Sequence, residues 1–414
     1  MNVMKRAARR LRASAAGATR RPETQRLLAL LPLAAAMAWA CGERSKGSEA
    51  SPGASAAELV IGIAWPWEAQ KGVLYAQGLE LAAEEVNAGG GVKSRHVRLL
   101  RADDHESVDE GRQVAQRLAR DPSVLAVIGH LQSYVTVPAA AIYDLEGMVM
   151  VAATSTTDEL TARGYSRVFR TIFTDRDVGT QMVRVAVARG FRRVAIYYIR
   201  TEYGRGLANA FEEEASNLGV RIVDRQSYDP GDADNRTSAA QTASAWKEIP
   251  FDAAFIAGEA PQAARLIVEL RRQGVTVPIL GGDAMGTSAL VQTGGTAVEG
   301  TVVAAPFHPS SPREEARAFT ARFQARFGTL PDAGAALGYD AVHVLVDAMR
   351  RAPTLTRDGI AQALHATHDW PGATGALTFN ERGELQASPF ITLIVRDGKF
   401  EYSGPLPIVS EHRR

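Results

Sequence analysis

One cysteine, Cys41, is all that the sequence holds, so no disulfide can form within the chain. No apolar run is long enough to span a bilayer as a helix. The longest, Leu27–Ala40, reads LLALLPLAAAMAWA and falls short of the ~20 residues a spanning helix needs. Long basic tracts are missing too. Residues 1–40 carry eight Lys or Arg and one acid, and the rest of the chain holds 39 basic against 45 acidic residues. That mildly acidic body argues against nucleic-acid binding. The common catalytic signatures are also absent: no Gly-x-Gly-x-x-Gly after the first strand, no phosphate loop, no Gly-x-Ser-x-Gly and no His-Glu-x-x-His. The histidines are scattered. His365 and His368 near Asp369 fit a helix end better than a metal site, and His130 suits either a cleft or a core. No cofactor or metal is expected.

What is present is an ordinary globular composition, 46% hydrophobic and 22% charged over 414 residues, enough for two lobes. The first 40 residues read as a secretory signal, with an Arg-rich start and a short apolar core. Residues 41–57 read as a flexible Gly/Ser/Ala/Pro/Glu tether. Ala38-Trp39-Ala40-Cys41 has the form of a lipidation site, with plain signal cleavage as the other reading. From Leu59 onward, apolar runs alternate with amphipathic helical stretches. Leu59–Ala64, Val97–Arg101, Val124–Ile128 and Met148–Ala153 are strands, divided by helices at Gly72–Asn87, Val108–Ala119 and Tyr134–Tyr143. The alternation repeats from Asp177 to Ala304. Three helices and a C-terminal hairpin, Phe390–Tyr402, follow. This pattern gives an α/β fold with parallel sheets covered on both faces, in two lobes.

The segment Val124–Asp177 is the most informative. Its two strands end in Gly129-His130-Leu131-Gln132-Ser133 and in Thr154-Ser155-Thr156-Thr157, each opening a helix. Ligands of open α/β sheets sit at the carboxyl ends of the strands, and a helix start offers free N–H groups to an anion. From local sequence alone, Thr156 could equally cap its own helix, with Glu159 completing a capping box. Asp175 and Asp283 could likewise be caps, and Tyr203 a half-buried tyrosine at a helix start.

GHLQS, then STTDEL, then RGYSRVFRTIFTDRDVG, in that order, resemble the leucine/isoleucine/valine-binding protein family. These are the type I periplasmic substrate-binding proteins of amino-acid ABC importers, and the resemblance runs from about Leu59 to about Tyr402. It implies two Rossmann-like lobes joined by a hinge of three crossings, near Thr174, Ala305-Pro306 and Ala373. Lobe one would be residues 58–174 plus 306–372, and lobe two residues 175–305 plus 373–414. It implies that Ser133 and Thr156 hold a ligand carboxylate, with Thr154 and Ser155 adding a backbone carbonyl for the ligand ammonium. Asp283 would pair with the ligand ammonium, Asp175 would be a cleft aspartate at the first lobe crossing, and Tyr203 would cover the ligand from the second lobe. A cysteine pair that some members of the family carry in the first lobe is absent. The family's first loop is replaced by Trp65-Pro66-Trp67-Glu68-Ala69-Gln70-Lys71-Gly72, with Lys71 at an aromatic position, and Glu259 stands at a cleft tyrosine position. Trp65, Lys71 and Glu259 would then make the side-chain end of the pocket more polar, unless Lys71 and Glu259 pair with each other or lie outside it. The implied protein is a monomer outside the cytoplasmic membrane, lipid-anchored at Cys41, that delivers an amino acid to an inner-membrane ABC permease. A ligand sensor on the same scaffold is the alternative.

Overall fold

The computed structural model describes residues 58–232, 234–386 and 390–405. The leader, Cys41 and the tether lie outside the described residues.

The first sheet is built from β1 (Leu59–Trp65), β2 (Val97–Asp103), β3 (Val124–Gly129), β4 (Val149–Ala152) and β5 (Val168–Arg170). Its order is β2-β1-β3-β4-β5, and every pairing is parallel. The runs LVIGIAW and VMVA are buried at every position because helices cover both faces, which is why these strands carry no polar alternation. Helices α1 (Tyr75–Ala88), α2 (Val108–Arg120), α3 (Ser133–Leu145) and the short α4 (Glu159–Ala162) connect them. Ser107 accepts from the Glu110 N–H and caps α2, satisfying one of its orphan donors.

The chain then leaves the first sheet. A capping box starts α5 (Asp175–Ala188), with Thr174 and Asp177 each bonding the other's backbone N–H. There follow β6 (Arg193–Ile199), α6 (Glu202–Asn217), β7 (Arg221–Tyr228), α7 (Arg236–Lys247), β8 (Ala253–Ala257), α8 (Ala260–Arg272), β9 (Ile279–Gly281), α9 (Ser288–Gly294) and β10 (Val302–Ala305). After β10 the chain returns to the first sheet as α10 (Glu314–Phe327), α11 (Ala333–Arg351) and α12 (Arg357–His365). The contact is tight. Tyr339 Oη donates to Glu85 at 2.7 Å, Arg322 reaches the same carboxylate at 3.0 Å, and Arg357 binds the carbonyl of Val124 at 3.1 Å. The small pairs β11 (Trp370–Pro371) and β12 (Ala376–Leu377) come next, then the hairpin β13 (Ile391–Arg396) and β14 (Lys399–Pro405). The second sheet has the order β14-β13-β10-β9-β8-β6-β7, with β13 antiparallel to β10.

Thr171–Phe173, Pro306 and Thr374–Gly375 line one small recess, where the connecting segments meet. The third connection differs from the expectation that residues from 373 onward belong to the second lobe. Past Leu377 the chain runs back along the first sheet. The Arg170 N–H donates to the Gly383 carbonyl at 2.8 Å, and Phe379 packs edge-on against Phe169. Only at Ile391 does it join the second sheet. The cause is β5, three residues long and too short to show a period. It leaves an edge that this segment covers.

Helix α1 buries Tyr75, Leu79, Leu81 and Val86, each large apolar side chain stabilising by about 1.5–3 kcal/mol. Against α11 the backbones nearly touch, since a Cβ on Gly78 would fall 2.0 Å from the Ala335 carbonyl oxygen. Gly78→Ala is therefore expected to cost about 1–3 kcal/mol by overpacking, read as a lower denaturation midpoint. Gly72→Ala, where a Cβ meets nothing within 4 Å, should leave the midpoint unchanged. Equal effects of the two would refute this packing.

Candidate functional site

Both sheets present the carboxyl ends of their strands to the same seam. On the first lobe, β3 ends at Gly129, and the loop His130–Gln132 leads to Ser133, the first residue of α3. The N-cap residue Gln132 makes no side-chain capping bond, so the positive end of α3 is not closed by its own chain. β4 ends at Ala152, and its loop brings Ser155 Oγ within 3.2 Å of Ser133 Oγ. Ser133, Ser155, Thr156 and Thr157 are all buried. Thr154 Oγ1 donates to the His130 carbonyl at 3.1 Å, tying the two loops together.

Thr156 does not cap α4. That helix starts at Glu159 behind Asp158, whose side chain makes no capping bond, and it is Thr157 Oγ1 that accepts the Glu159 N–H, at 3.4 Å. Instead, the Thr156 carbonyl accepts the backbone N–H of Asp175 at 2.8 Å, where the chain enters the second lobe. Asp175 is not a cap either, because Thr174 and Asp177 fill that role for α5. The Asp175 side chain is 0% exposed and neither carboxylate oxygen has a hydrogen-bond partner. Burial first, then the nearby Asp283, push its carboxyl well above the usual range, only partly offset by the neighbouring Thr156 hydroxyl.

Asp283 follows β9 at the start of a 3-10 turn that no side chain caps. Its Oδ1 accepts the Tyr203 hydroxyl at 3.1 Å, and the same hydroxyl accepts the Ala284 N–H at 3.3 Å. Gly282 makes room for it, since a Cβ there would sit 2.5 Å from Tyr203 Oη. Burial pushes Asp283 up to about 6. Ser133, Ser155, Thr156, Asp175, Tyr203 and Asp283 thus form one continuous polar seam, neutral hydroxyls on one lobe and acids at the start of the other.

A model of the family described as "Periplasmic binding protein" matches residues 68–399. The chain belongs to this family, as a type I member. Among similar proteins is the Leu/Ile/Val-binding protein homolog 2 of Brucella abortus, 27% identical over 87% of this chain and 98% of that protein. The amino acid binding protein of Pseudomonas aeruginosa is 28% identical over 81% of this chain and 89% of its own. An ABC transporter substrate-binding protein of Desulfitobacterium hafniense, solved in complex with Leu, superimposes with a TM-score of 0.75 at 35% identity, covering 83% of this chain and 99% of that one. This periplasmic binding protein is accordingly an extracytoplasmic solute-binding protein, not an enzyme.

Two of the residues expected at the seam are elsewhere. Trp65 is 2% exposed and stacks on Tyr75 with centroids 3.9 Å apart, so it is core. Lys71 is exposed and pairs with Glu68 at 2.6 Å, a surface pair in a short loop, and it does not meet Glu259. Glu259 does border the seam, with Gln132 and Glu106 of the first lobe acting on it.

Two supporting residues carry more of the site than local sequence signals. Arg170, fully buried, donates to the carbonyl of Thr157 at 2.6 Å and to Glu384 at 3.0 Å, and so fixes the Thr154–Thr157 loop. His130 is buried between Asp104, 2.6 Å from Nδ1, and Tyr143 Oη, 3.2 Å from Nε2. It fixes the other loop. An arginine closing an apolar strand was the only available clue to the first.

Because the folded protein binds the Asp283 proton more tightly than the unfolded chain, this group's contribution to ligand-free stability is full below the ordinary carboxyl range. It is lost as pH rises to about 6. Asp283→Asn is expected to raise the ligand-free melting temperature near neutral pH, an advantage that shrinks as pH falls from about 6 towards 4. Scanning fluorimetry across that range tests it, and a difference independent of pH would contradict it.

Proposed function

We propose that the protein is the receptor of an ABC importer and takes an α-amino acid, or a close relative, between its lobes. The ligand carboxylate lies on Ser133, Ser155 and Thr156 and on the open N–H groups at the start of α3. Its ammonium lies on Asp283 and Asp175, with Tyr203 over it and Thr154 bracing the carboxylate loop. The hinge closes the second lobe on the first as the two ends of the zwitterion are engaged from opposite sides.

The observation that carries this reading is Asp175. An acid buried with no partner is costly, and a second acid beside it raises the cost. A cation arriving in the seam removes both penalties. The neutral hydroxyls and helix start opposite suit the anionic end of the same molecule. The ligands named for the relatives from Brucella abortus and Desulfitobacterium hafniense are of this class. On this reading the protein works as a monomer outside the inner membrane, held there through a lipid on Cys41, and hands its ligand to a permease.

Isothermal titration of the purified protein with the twenty amino acids, alongside mass spectrometry of what co-purifies, tests the reading. At least one α-amino acid is expected to bind. Asp283→Ala should weaken that binding about tenfold or more, the loss of one charge-assisted bond. Unchanged affinity in a folded Asp283→Ala variant would remove this residue from the site, and binding of none of the twenty would reject the reading.

A further inference from the structure

In the loop that follows β4, the backbone carbonyls from Ser155 to Thr157 all have donors, and one buried N–H has no acceptor. Arg170 Nη1 donates to the Thr157 carbonyl at 2.6 Å and lies 3.4 Å from that of Ser155. The Thr156 carbonyl accepts the Asp175 N–H at 2.8 Å. The Ser155-Thr156 peptide is trans, so its N–H points opposite to its C=O. Drawing the Ser155 carbonyl towards Arg170 therefore turns the Thr156 N–H away from it. That N–H meets no acceptor among the described residues, although Thr156 is buried. A buried backbone donor without a partner is rare and costly.

Arg170 is itself held from the far end of the chain. It is fully buried, and its Nε has no partner. Nη2 donates to Thr161 Oγ1 at 2.5 Å and to Glu384 Oε1 at 3.0 Å. Among the described residues, Glu384 is the only carboxylate within ion-pair distance of Arg170. Thr161 donates its own hydroxyl to the same carboxylate. Asn380 fixes Glu384 in turn, accepting its N–H at 3.0 Å and donating to Oε2 at 3.3 Å. Glu384 thus stands on the stretch that ties the third connection to the edge of β5, before the chain joins the second sheet at Ile391.

We propose that Arg170 and Glu384 are positioning residues for the carboxylate seat: Arg170 keeps the Ser155 and Thr157 carbonyls on its own side, which leaves the Thr156 N–H for the anionic end of the ligand, and Glu384 keeps Arg170 there. This rests on the zwitterion seat proposed above. Neither side chain touches the ligand. Without Glu384 the guanidinium is a buried charge with no carboxylate in bonding reach, which is costly. It is then drawn towards water, and the carbonyls it held are free to turn towards the seat, where an oxygen repels a carboxylate. The third connection supplies no residue to the seat, and this pair lets it set the seat's affinity.

Isothermal titration with the tightest-binding of the twenty L-amino acids tests the proposal, on the unaltered protein, Glu384→Ala, Glu384→Gln, Arg170→Lys and Gly78→Ala, each at a temperature where it is folded. Glu384→Ala is expected to weaken binding about tenfold. Glu384→Gln keeps an oxygen for Arg170 and should recover part of that loss. Arg170→Lys, whose single ammonium cannot serve the loop and Glu384 as a guanidinium fork does, should weaken binding in the same direction, and serves should Glu384→Ala not fold. Gly78→Ala strains the packing of α1 on α11 without touching Arg170, and should bind as the unaltered protein does. Unchanged affinity in folded Glu384→Ala or Arg170→Lys, or an equal loss in Gly78→Ala, would overturn the pair's role while leaving the zwitterion seat standing. Binding of none of the twenty amino acids would instead overturn the seat, and the pair's role with it.

Discussion

The proposed site depends on one buried acid without a hydrogen-bond partner, Asp175. Its backbone is fixed twice, by the bond from its own N–H to Thr156 and by the capping box that starts α5. The side chain packs against α6, where a Cβ on Gly206 would fall 2.9 Å from its Oδ2. Thr174 and Asp177 already cap α5, so Asp175 is relieved of the duty that acids at this position usually perform. It sits where the chain passes from the first sheet to the second.

The remaining parts of the seam are placed by buried polar groups that are hydrogen-bonded to their neighbours. Asp104 and Tyr143 hold the His130 ring, whose backbone carbonyl takes the Thr154 hydroxyl. Arg170 reaches from β5 to the Thr157 carbonyl and on to Glu384. Burial pushes Arg170 below its ordinary value while Glu384 and Asp158 work to keep it charged. Buried networks of this kind are costly when half-satisfied and rigid when complete. Here they fix two loops that carry small buried hydroxyls with little reach of their own. The hydroxyl seat is precise because its supports are not free to adapt.

Much of this was legible in the chain. The buried strands announced themselves as unbroken apolar runs. The turn at Asp397-Gly398 and the alternation of strand and helix gave the architecture, and the order of the motifs around Ser133 and Thr156 gave the family. Local sequence could not decide between cap and ligand contact for Thr156, Asp175 and Asp283, because both roles use the same residue types at the same helix starts. The cap of α5 by Thr174 with Asp177, and the start of α4 with no bond from Thr156, remove the capping reading of Asp175 and Thr156. Trp65 was misplaced because its period fits either the end of a strand or a cleft wall, and stacking on Tyr75 is a contact between side chains that spacing does not reveal. Lys71 was misplaced because a shortened loop turned it onto Glu68. Strand β5 and the return of residues 378–385 to its edge were hidden by their brevity.

A crystal structure of the protein with its co-purified or titrated ligand bound tests the central claim most directly. A positively charged nitrogen of the ligand should lie within hydrogen-bond distance of Asp175 or Asp283, with its carboxylate on Ser133 and Thr156. A ligand seated with Asp175 still unpartnered, or with an anionic group facing it, would contradict the account.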